Sequence, residues 1–257
     1  MTKPTPTYNT GLILKALAFA AHKHRDQNRK DVEASPYINH PIALADVLCN
    51  EGGITDENVL CAALLHDTVE DTKTTPAELT EKFGKIISGI VMEVTDDKNI
   101  EKAERKRLQI EHAGHASHQA KLVKLADKIC NLRDIVASPP VGWNIQRKQK
   151  YFDWAKKVID QVRGTNADLE RIFNSIYKKG PTSLSNHDMI ASAVKKYRGK
   201  VLATSEIKKI VLGAYPKFNE GSLLPNDHAF GNKSCCGCVG TKRQIFDRIE
   251  PGKYLVR

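Results

Sequence analysis

The chain has 257 residues, of which 40% are apolar and 27% charged. These proportions are typical of a globular protein and exclude a disordered or fibrous chain. No apolar run approaches the roughly 20 residues that span a bilayer. The first seven residues lack the apolar core of a secretory signal, so we expect a cytoplasmic protein.

The net charge of +10 is unevenly distributed along the chain. Residues 1–182 carry 27 basic and 24 acidic side chains, whereas residues 183–257 carry 13 basic and 6 acidic ones. This asymmetry predicts two units with different electrostatic tasks, and Gly180-Pro181 has the composition of a linker. We therefore predict one domain over residues 8–180 and a basic module over 181–257.

Apolar residues recur at helical spacing through most of the first 180 residues, and no alternating strand pattern interrupts them. The polar segment 27–37 reads as a loop. Cys49, Cys61 and Cys130 lie within apolar helical patterns, which suits reduced core thiols. The predicted helices cover residues 11–26 and 41–50, a helix that opens at 55–57 and carries His66 and Asp67, a helix start at Thr75-Pro76, and residues 86–94, 100–113, 120–136, 146–164 and 166–179.

One short segment of this helical pattern is rich in metal- and proton-binding groups. His66 and Asp67 follow the apolar run 61–65, and Glu70 and Asp71 come one helical turn later. Burying these groups beside a core is costly unless a cation compensates their charge. The pattern therefore predicts a metal-assisted hydrolase, with Mn²⁺, Fe²⁺ or Zn²⁺ favoured over Ca²⁺ by the mixed donor set.

Two further residues are candidates for completing such a site. His40 stands just before Pro41, and Asp127 lies in a helix whose apolar face is otherwise well defined. Taken singly, His40 could be a surface or capping residue and Asp127 a solvated one. The run His112, His115 and His118 lies in a polar segment, and we expect these histidines at the surface.

Four motifs in order resemble one family of enzymes. The chain is similar to the HD-domain hydrolases of the RelA/SpoT type, and most of all to the small metazoan-type SpoT homologues, from about Leu12 to about Lys179. Those relatives consist of the hydrolase domain alone, and the remaining residues are too few for a synthetase domain. The motifs are residues 36–41 (PYINHP), 63–72 (ALLHDTVEDT), 93–98 (EVTDDK) and 121–134 (KLVKLADKICNLRD).

The resemblance implies an all-α fold, bound Mn²⁺ and hydrolysis of the 3′-pyrophosphate of the alarmones ppGpp and pppGpp, which gives GDP or GTP and pyrophosphate. It further implies substrate contacts by Arg29, Lys30 and Asn131. Lys98, Arg105 and Arg133 could neutralise further phosphate charge, or Lys98 and Arg105 could belong to a solvated face. The implied metal ligands are His40, His66, Asp67 and Asp127, and the implied catalytic acidic pair is Glu70 and Asp71.

Other functions remain open at this point. Within hydrolases, the alternative is a phosphatase acting on the 2′-phosphate of NADPH. From another class, the chain could be an alarmone-responsive, nucleic-acid-associated regulator that works through its basic module.

The basic module itself has a mixed pattern. Residues 187–197 and 204–215 read as helices, residues 221–238 are loop-rich, and 244–246 with 252–256 could form a hairpin. This predicts a small α+β module, and the order of its elements is compatible with a winged-helix-like fold. Its charge would suit phosphate contacts with nucleic acid, although solvated surface charge explains it equally simply. Cys235, Cys236 and Cys238 could bind zinc with His228 or remain reduced thiols.

Overall fold

A computed structural model describes residues 9–31, 34–140, 142–181, 186–216, 218–223, 225–230 and 244–257. Its described residues divide into two compact units. The first contains residues up to Arg29, Ser35–Ser138 and Ile145–Pro181, and the second contains Lys30–Ala34, Pro139–Asn144 and the described part of Thr182–Arg257. No helix in the described part of the chain is long and apolar enough to cross a membrane.

The first unit is helical, as the sequence predicts. Its described residues form no strand beyond one isolated bridge between Asn28 and Pro36. A π-helical turn, Val47–Glu51, extends the second helix. The helices are α1 (Thr10–Lys23), α2 (Asn39–Asp46), α3 (Glu57–Leu65), α4 (Thr68–Asp71), α5 (Pro76–Val94), α6 (Lys102–Ala113), α7 (His118–Ala137), α8 (Ile145–Asp160) and α9 (Ala167–Lys179).

Helix α3 forms the centre of the first unit. Residues 59–65 are all buried, because α1, α2, α5 and α7 pack around this helix. A helix that is apolar on every side is typical of a fully buried core element. The residues that follow the C-terminal end of α3, His66 and Asp67, therefore lie in the interior of the unit.

The predicted continuous helix from residues 55–57 through Asp71 is broken at His66 and Asp67. Asp67 has ψ near −2°, which opens the helix before α4. The break is stabilised by side chains that bond to helix carbonyls in place of the regular ladder. The Thr68 hydroxyl donates to the Leu65 carbonyl at 2.6 Å, and His66 Nδ1 donates to the Ala63 carbonyl at 2.8 Å.

The second unit is a small α+β structure. It contains α10 (Asn186–Val194), β1 (Val201–Ala203), α11 (Thr204–Ala214), β2 (Ala229–Phe230), β3 (Phe246–Glu250) and β4 (Lys253–Val256). The sheet order is β1-β4-β3-β2, with β1, β4 and β3 antiparallel and β2 parallel to β3. The predicted hairpin is therefore present as β3 and β4, whereas the short strands β1 and β2 were not predicted. Cys235, Cys236 and Cys238 lie outside the described residues.

Candidate metal centre and active-site pocket

Four side chains from three parts of the first unit converge in its interior. Ligand atoms of His40, His66 and Asp67 all lie within 4.8 Å of one another. Asp127 of α7 joins them, since its Oδ1 lies 3.3 Å from His40 Nε2. His40 and His66 are only 4% and 6% exposed. Tertiary packing thus brings together all four residues that the family resemblance implies as metal ligands.

Local backbone structure sets the orientation of the His40 and His66 imidazole rings. His40 lies in the first turn of α2, where the following Pro41 is favoured because a first-turn residue needs no amide donor. The His66 bond to the Ala63 carbonyl fixes Nδ1 as a donor and turns Nε2 toward the carboxylates. His66 Nε2 lies 2.9 Å from Asp67 Oδ2, in a geometry that does not make a hydrogen bond. Nε2 is therefore the ring atom that could bind a cation, in exchange for the proton that it carries in the imidazolium form.

The positive and negative side chains of the cluster compensate one another's charge, and this shifts their pKa values. Burial by itself lowers the pKa of His66, but the charges of Asp67 and Asp127 outweigh it and raise the pKa to about 9. Burial raises the pKa of the Asp67 and Asp127 carboxyl groups, yet their cationic neighbours hold both well below the ordinary range. These carboxylates are therefore ionised at neutral pH. Two buried imidazoles and two partly buried carboxylates form a donor set that fits a divalent transition metal.

The acidic pair of α4 lies beside this cluster. Glu70 accepts from the Asp96 amide at 3.2 Å, and Arg105 lies 3.8 Å from its other oxygen. Burial, with the nearby charges of Asp96, Asp67 and Asp71, raises the pKa of Glu70 to about 7. Asp71 forms an ion pair with Lys98. Glu70 can therefore exchange a proton near neutral pH.

A polar cavity of about 240 Å³ joins the four converging residues to the acidic pair. Asn131 lies on its wall and donates to Asp127 Oδ1 at 2.6 Å. Arg29 also lines it, in an ion pair with Asp134. The other lining residues include Tyr37, Asp96, Gln109, Lys124, Lys128, Tyr151 and Trp154.

The remaining predicted substrate residues are placed differently from one another. Lys98 and Arg105 do not line the cavity, although each contacts one of its acids. Lys30 is exposed and does not line the cavity. Arg133 makes two hydrogen bonds to Glu51, at 2.5 and 2.8 Å, and lines a separate groove between α7 and α9. His112, His115 and His118 are exposed, as expected.

Sequence reasoning missed several pocket residues. Lys128 is only 7% exposed, its Nζ lies 2.7 Å from Asp127 Oδ2, and the same Nζ lies 4.7 Å from the centre of the Trp154 ring. The Tyr37 hydroxyl donates to Asp67 Oδ2 at 2.5 Å. The sequence did contain one signal for Lys128, because this lysine stands next to an aspartate within the apolar pattern of a helix. No periodicity marks Tyr37, because it lies in a loop.

Comparisons with known proteins assign the chain to a family. The HD-domain family matches residues 16–151, which span more than half of the chain. The chain is 56% identical over 169 residues to a Danio rerio protein named guanosine-3′,5′-bis(diphosphate) 3′-pyrophosphohydrolase MESH1, covering 66% of this chain and 94% of that one. The Homo sapiens protein of the same name is 55% identical over 167 residues, covering 65% and 93%.

A solved structure is similar as well. Its title describes a metazoan orthologue of SpoT that hydrolyses ppGpp and plays a role in starvation responses. It is 51% identical, with a TM-score of 0.66, and the match covers 67% of this chain and 97% of that one. The chain therefore belongs to the HD-domain hydrolases of the RelA/SpoT type, close to the metazoan MESH1 proteins.

Proposed function

We propose that this chain is a metal-dependent hydrolase that removes the 3′-pyrophosphate of ppGpp and pppGpp and releases GDP or GTP. The observation that carries the proposal is the convergence of two buried histidines and two ionised carboxylates on a cavity that also holds Glu70. The similar proteins are named for this reaction on ppGpp, and they are matched over nearly their whole length. The proposal extends to pppGpp because the cavity acts on the 3′ end, away from the 5′-phosphates.

His40, His66, Asp67 and Asp127 would hold the metal ion, and Mn²⁺ suits their mixed nitrogen and oxygen donors. When bound there, a divalent cation would polarise a phosphoryl oxygen and lower the pKa of a water molecule. The chain supplies the remaining charge compensation. Lys128 keeps Asp127 ionised, and Asn131 holds its second oxygen.

Glu70 is the residue that we assign to accepting the proton of the attacking water. A general base works best when its pKa lies near the working pH. The partly buried Glu70 carboxyl meets that requirement, with a pKa raised to about 7. Asp71, which is paired with Lys98, would assist by orienting the water.

Substrate charge would be met by basic groups at the cavity. Arg29 and Lys124 line it directly, and each could take a phosphate oxygen in a charge-assisted bond. Asn131 offers an uncharged donor beside the site of bond cleavage. Lys98 and Arg105 would exchange their present acidic partners for phosphate when substrate enters. Lys30 and Arg133 do not line the cavity, so they are weaker candidates for substrate contacts.

Hydrolysis measured on the full chain tests this assignment. With Mn²⁺, we expect release of pyrophosphate from ppGpp, and loss of activity in His66→Ala and in Asp67→Ala. NADPH, whose 2′-phosphate is a monoester, is the competing substrate and is measured alongside. Unchanged turnover in both variants would reject the proposed centre, and faster turnover of NADPH would reassign the substrate.

We further propose that residues 181–257 are a separate winged-helix-like module following a hydrolase domain of residues 8–180. The order β1-β4-β3, with α10 before β1 and α11 after it, supports this assignment. The position of a third helix holds two short 3₁₀ turns, Glu220–Ser222 and Pro225–His228. A cytoplasmic location is proposed because the buried cysteines Cys61 and Cys130 are free thiols.

A further inference from the structure

The second unit carries a compact group of positive charge that the hydrolase site does not use. Residues 195–200 read KKYRGK, with four basic residues and no acidic one. We call this segment the basic turn. It follows α10 as a 3₁₀ turn, Lys195–Tyr197, and leads into β1.

Backbone hydrogen bonds hold the basic turn rigidly against the sheet. The Gly199 amide donates to the Val256 carbonyl at 2.8 Å, and the Val256 amide donates to the Lys200 carbonyl at 3.0 Å. Gly199 has φ of +78°, a conformation that a glycine adopts without strain. The cations are therefore presented from a fixed backbone at the end of β4 instead of from a flexible tail.

Lys196, Arg198 and Lys200 of the basic turn are exposed, and two of these side chains are preorganised. Lys196 Nζ lies 5.1 Å and Lys200 Nζ 5.9 Å from the centre of the Tyr197 ring. These cation–π contacts keep both ammonium groups on one aromatic side chain. Among the residues that the structure describes, no carboxylate pairs with Lys196, Arg198 or Lys200.

Three basic residues elsewhere in the same unit are compensated by carboxylates, in contrast to Lys196, Arg198 and Lys200. Lys208 pairs with Glu220, Lys253 with Glu250, and Arg257 with Asp247. Several like charges within six residues repel one another and create a local positive potential that a polyanion would relieve. We propose that the basic turn is a phosphate-contact surface for double-stranded nucleic acid.

The architecture of the unit favours nucleic acid over a membrane surface. Membrane-surface binding by a basic element normally needs an adjacent apolar helix face that enters the lipid. Here the apolar residues Ile190, Val194, Ile207 and Val211 of α10 and α11 are 0–1% exposed, because they form the core of the unit itself. Contacts to phosphate need only positioned cations and backbone donors, which the basic turn supplies. This inference does not depend on the proposed hydrolase activity.

The test measures binding of a fluorescein-labelled 20-base-pair DNA duplex to the full chain by anisotropy, without added metal or nucleotide. The triple variant Lys196→Glu, Arg198→Glu, Lys200→Glu is compared with the control variant Lys82→Glu, Lys85→Glu, Lys157→Glu. The control makes the same change in net charge at exposed lysines of the first unit. We expect the basic-turn variant to bind at least about tenfold more weakly at low salt, with the slope of log K against log salt reduced by about 3, and the control to stay close to the parent chain.

Three results would overturn the proposal. The first is that the parent chain does not bind the duplex at low salt. The second is that the two triple variants lose equal affinity for the duplex. The third is that the parent chain binds phosphatidylserine vesicles through the basic turn but does not bind the duplex. Thermal melting establishes that each variant is folded. If the charge-reversed variant does not fold, the neutral variant Lys196→Gln, Arg198→Gln, Lys200→Gln replaces it, and a smaller loss of the same sign is expected.

Discussion

The Tyr37 hydroxyl donates a hydrogen bond of 2.5 Å to Asp67 Oδ2, one of the four carboxylate and imidazole groups at the candidate metal centre. Tyr37 comes from the loop before α2, and Asp67 from the break between α3 and α4. The bond fixes the same Asp67 oxygen that lies 2.9 Å from His66 Nε2. An outer hydrogen bond of this kind sets both the orientation and the affinity of a metal site.

Removing this hydroxyl should weaken metal binding. In Tyr37→Phe we expect the dissociation constant for Mn²⁺, measured by calorimetry on metal-free protein, to rise by about 10-fold. Tyr177→Phe is the matched control, since its hydroxyl bonds to Asp153 on an exposed surface. Equal Mn²⁺ affinity in Tyr37→Phe and the parent chain would remove the positioning role. Absence of binding in the parent chain would instead count against the metal centre itself.

The raised pKa of Glu70 predicts a pH dependence of activity. A base must be deprotonated, so kcat/KM should increase with pH through an acidic limb at or below about 7, because a bound cation would favour the carboxylate. Glu70→Gln should lower kcat by about 100-fold or more and abolish that limb. A retained limb in this variant would assign the titration to another group.

The same shift predicts an effect of Glu70 on stability. Its folded-state pKa of about 7 lies above the ordinary value of 4.5, so the unfolded chain releases the proton more readily. Stability associated with Glu70 is therefore present below the ordinary value and is lost as pH rises toward 7. Metal-free Glu70→Gln should melt at a higher temperature than the parent chain at pH 8 and lose that advantage at pH 4. A parallel shift at both values would contradict the assignment.

Lys98 should affect substrate binding more than folding. Its side chain is half exposed, and an ion pair at such a site contributes about 0–1 kcal/mol. Lys98→Met should leave the free energy of unfolding nearly unchanged but raise KM for ppGpp, with a smaller dependence of KM on salt. Lys85→Met, at an exposed position of α5, is the control. Unchanged KM in Lys98→Met would place Lys98 outside the substrate site.

The core position before the metal centre should be the most sensitive to truncation. Leu65 is fully buried at the end of α3, and Leu65→Ala should lower the free energy of unfolding by about 2–5 kcal/mol. Leu14→Ala is the matched control. Leu14 is 57% exposed on α1, so this substitution should lower the free energy of unfolding by much less. Denaturant titration of both variants measures the difference. Similar losses would mean that α3 is not the centre of the core.

Some features of this protein follow from local sequence. Helical spacing of apolar residues predicted the helical first unit, because the period of 3.6 residues is a property of each segment by itself. Residues 244–246 and 252–256 were predicted as a possible hairpin, and β3 and β4 form one there. Strands β1 and β2 were missed, since two or three residues are too few to show a period and pair only through tertiary contacts.

The family motifs identified the HD-domain hydrolase, and that identification is confirmed, while the roles of individual site residues stay predictions. Sequence by itself determined which segments are helical, where the charge lies and that His66-Asp67 follows a buried run. Only tertiary structure decided that His40 and Asp127 meet that pair, that Tyr37 bonds to Asp67, and that Arg133 turns to Glu51. The reason is physical: periodicity acts along one element, whereas the meeting of distant side chains depends on how the buried faces of several helices pack together.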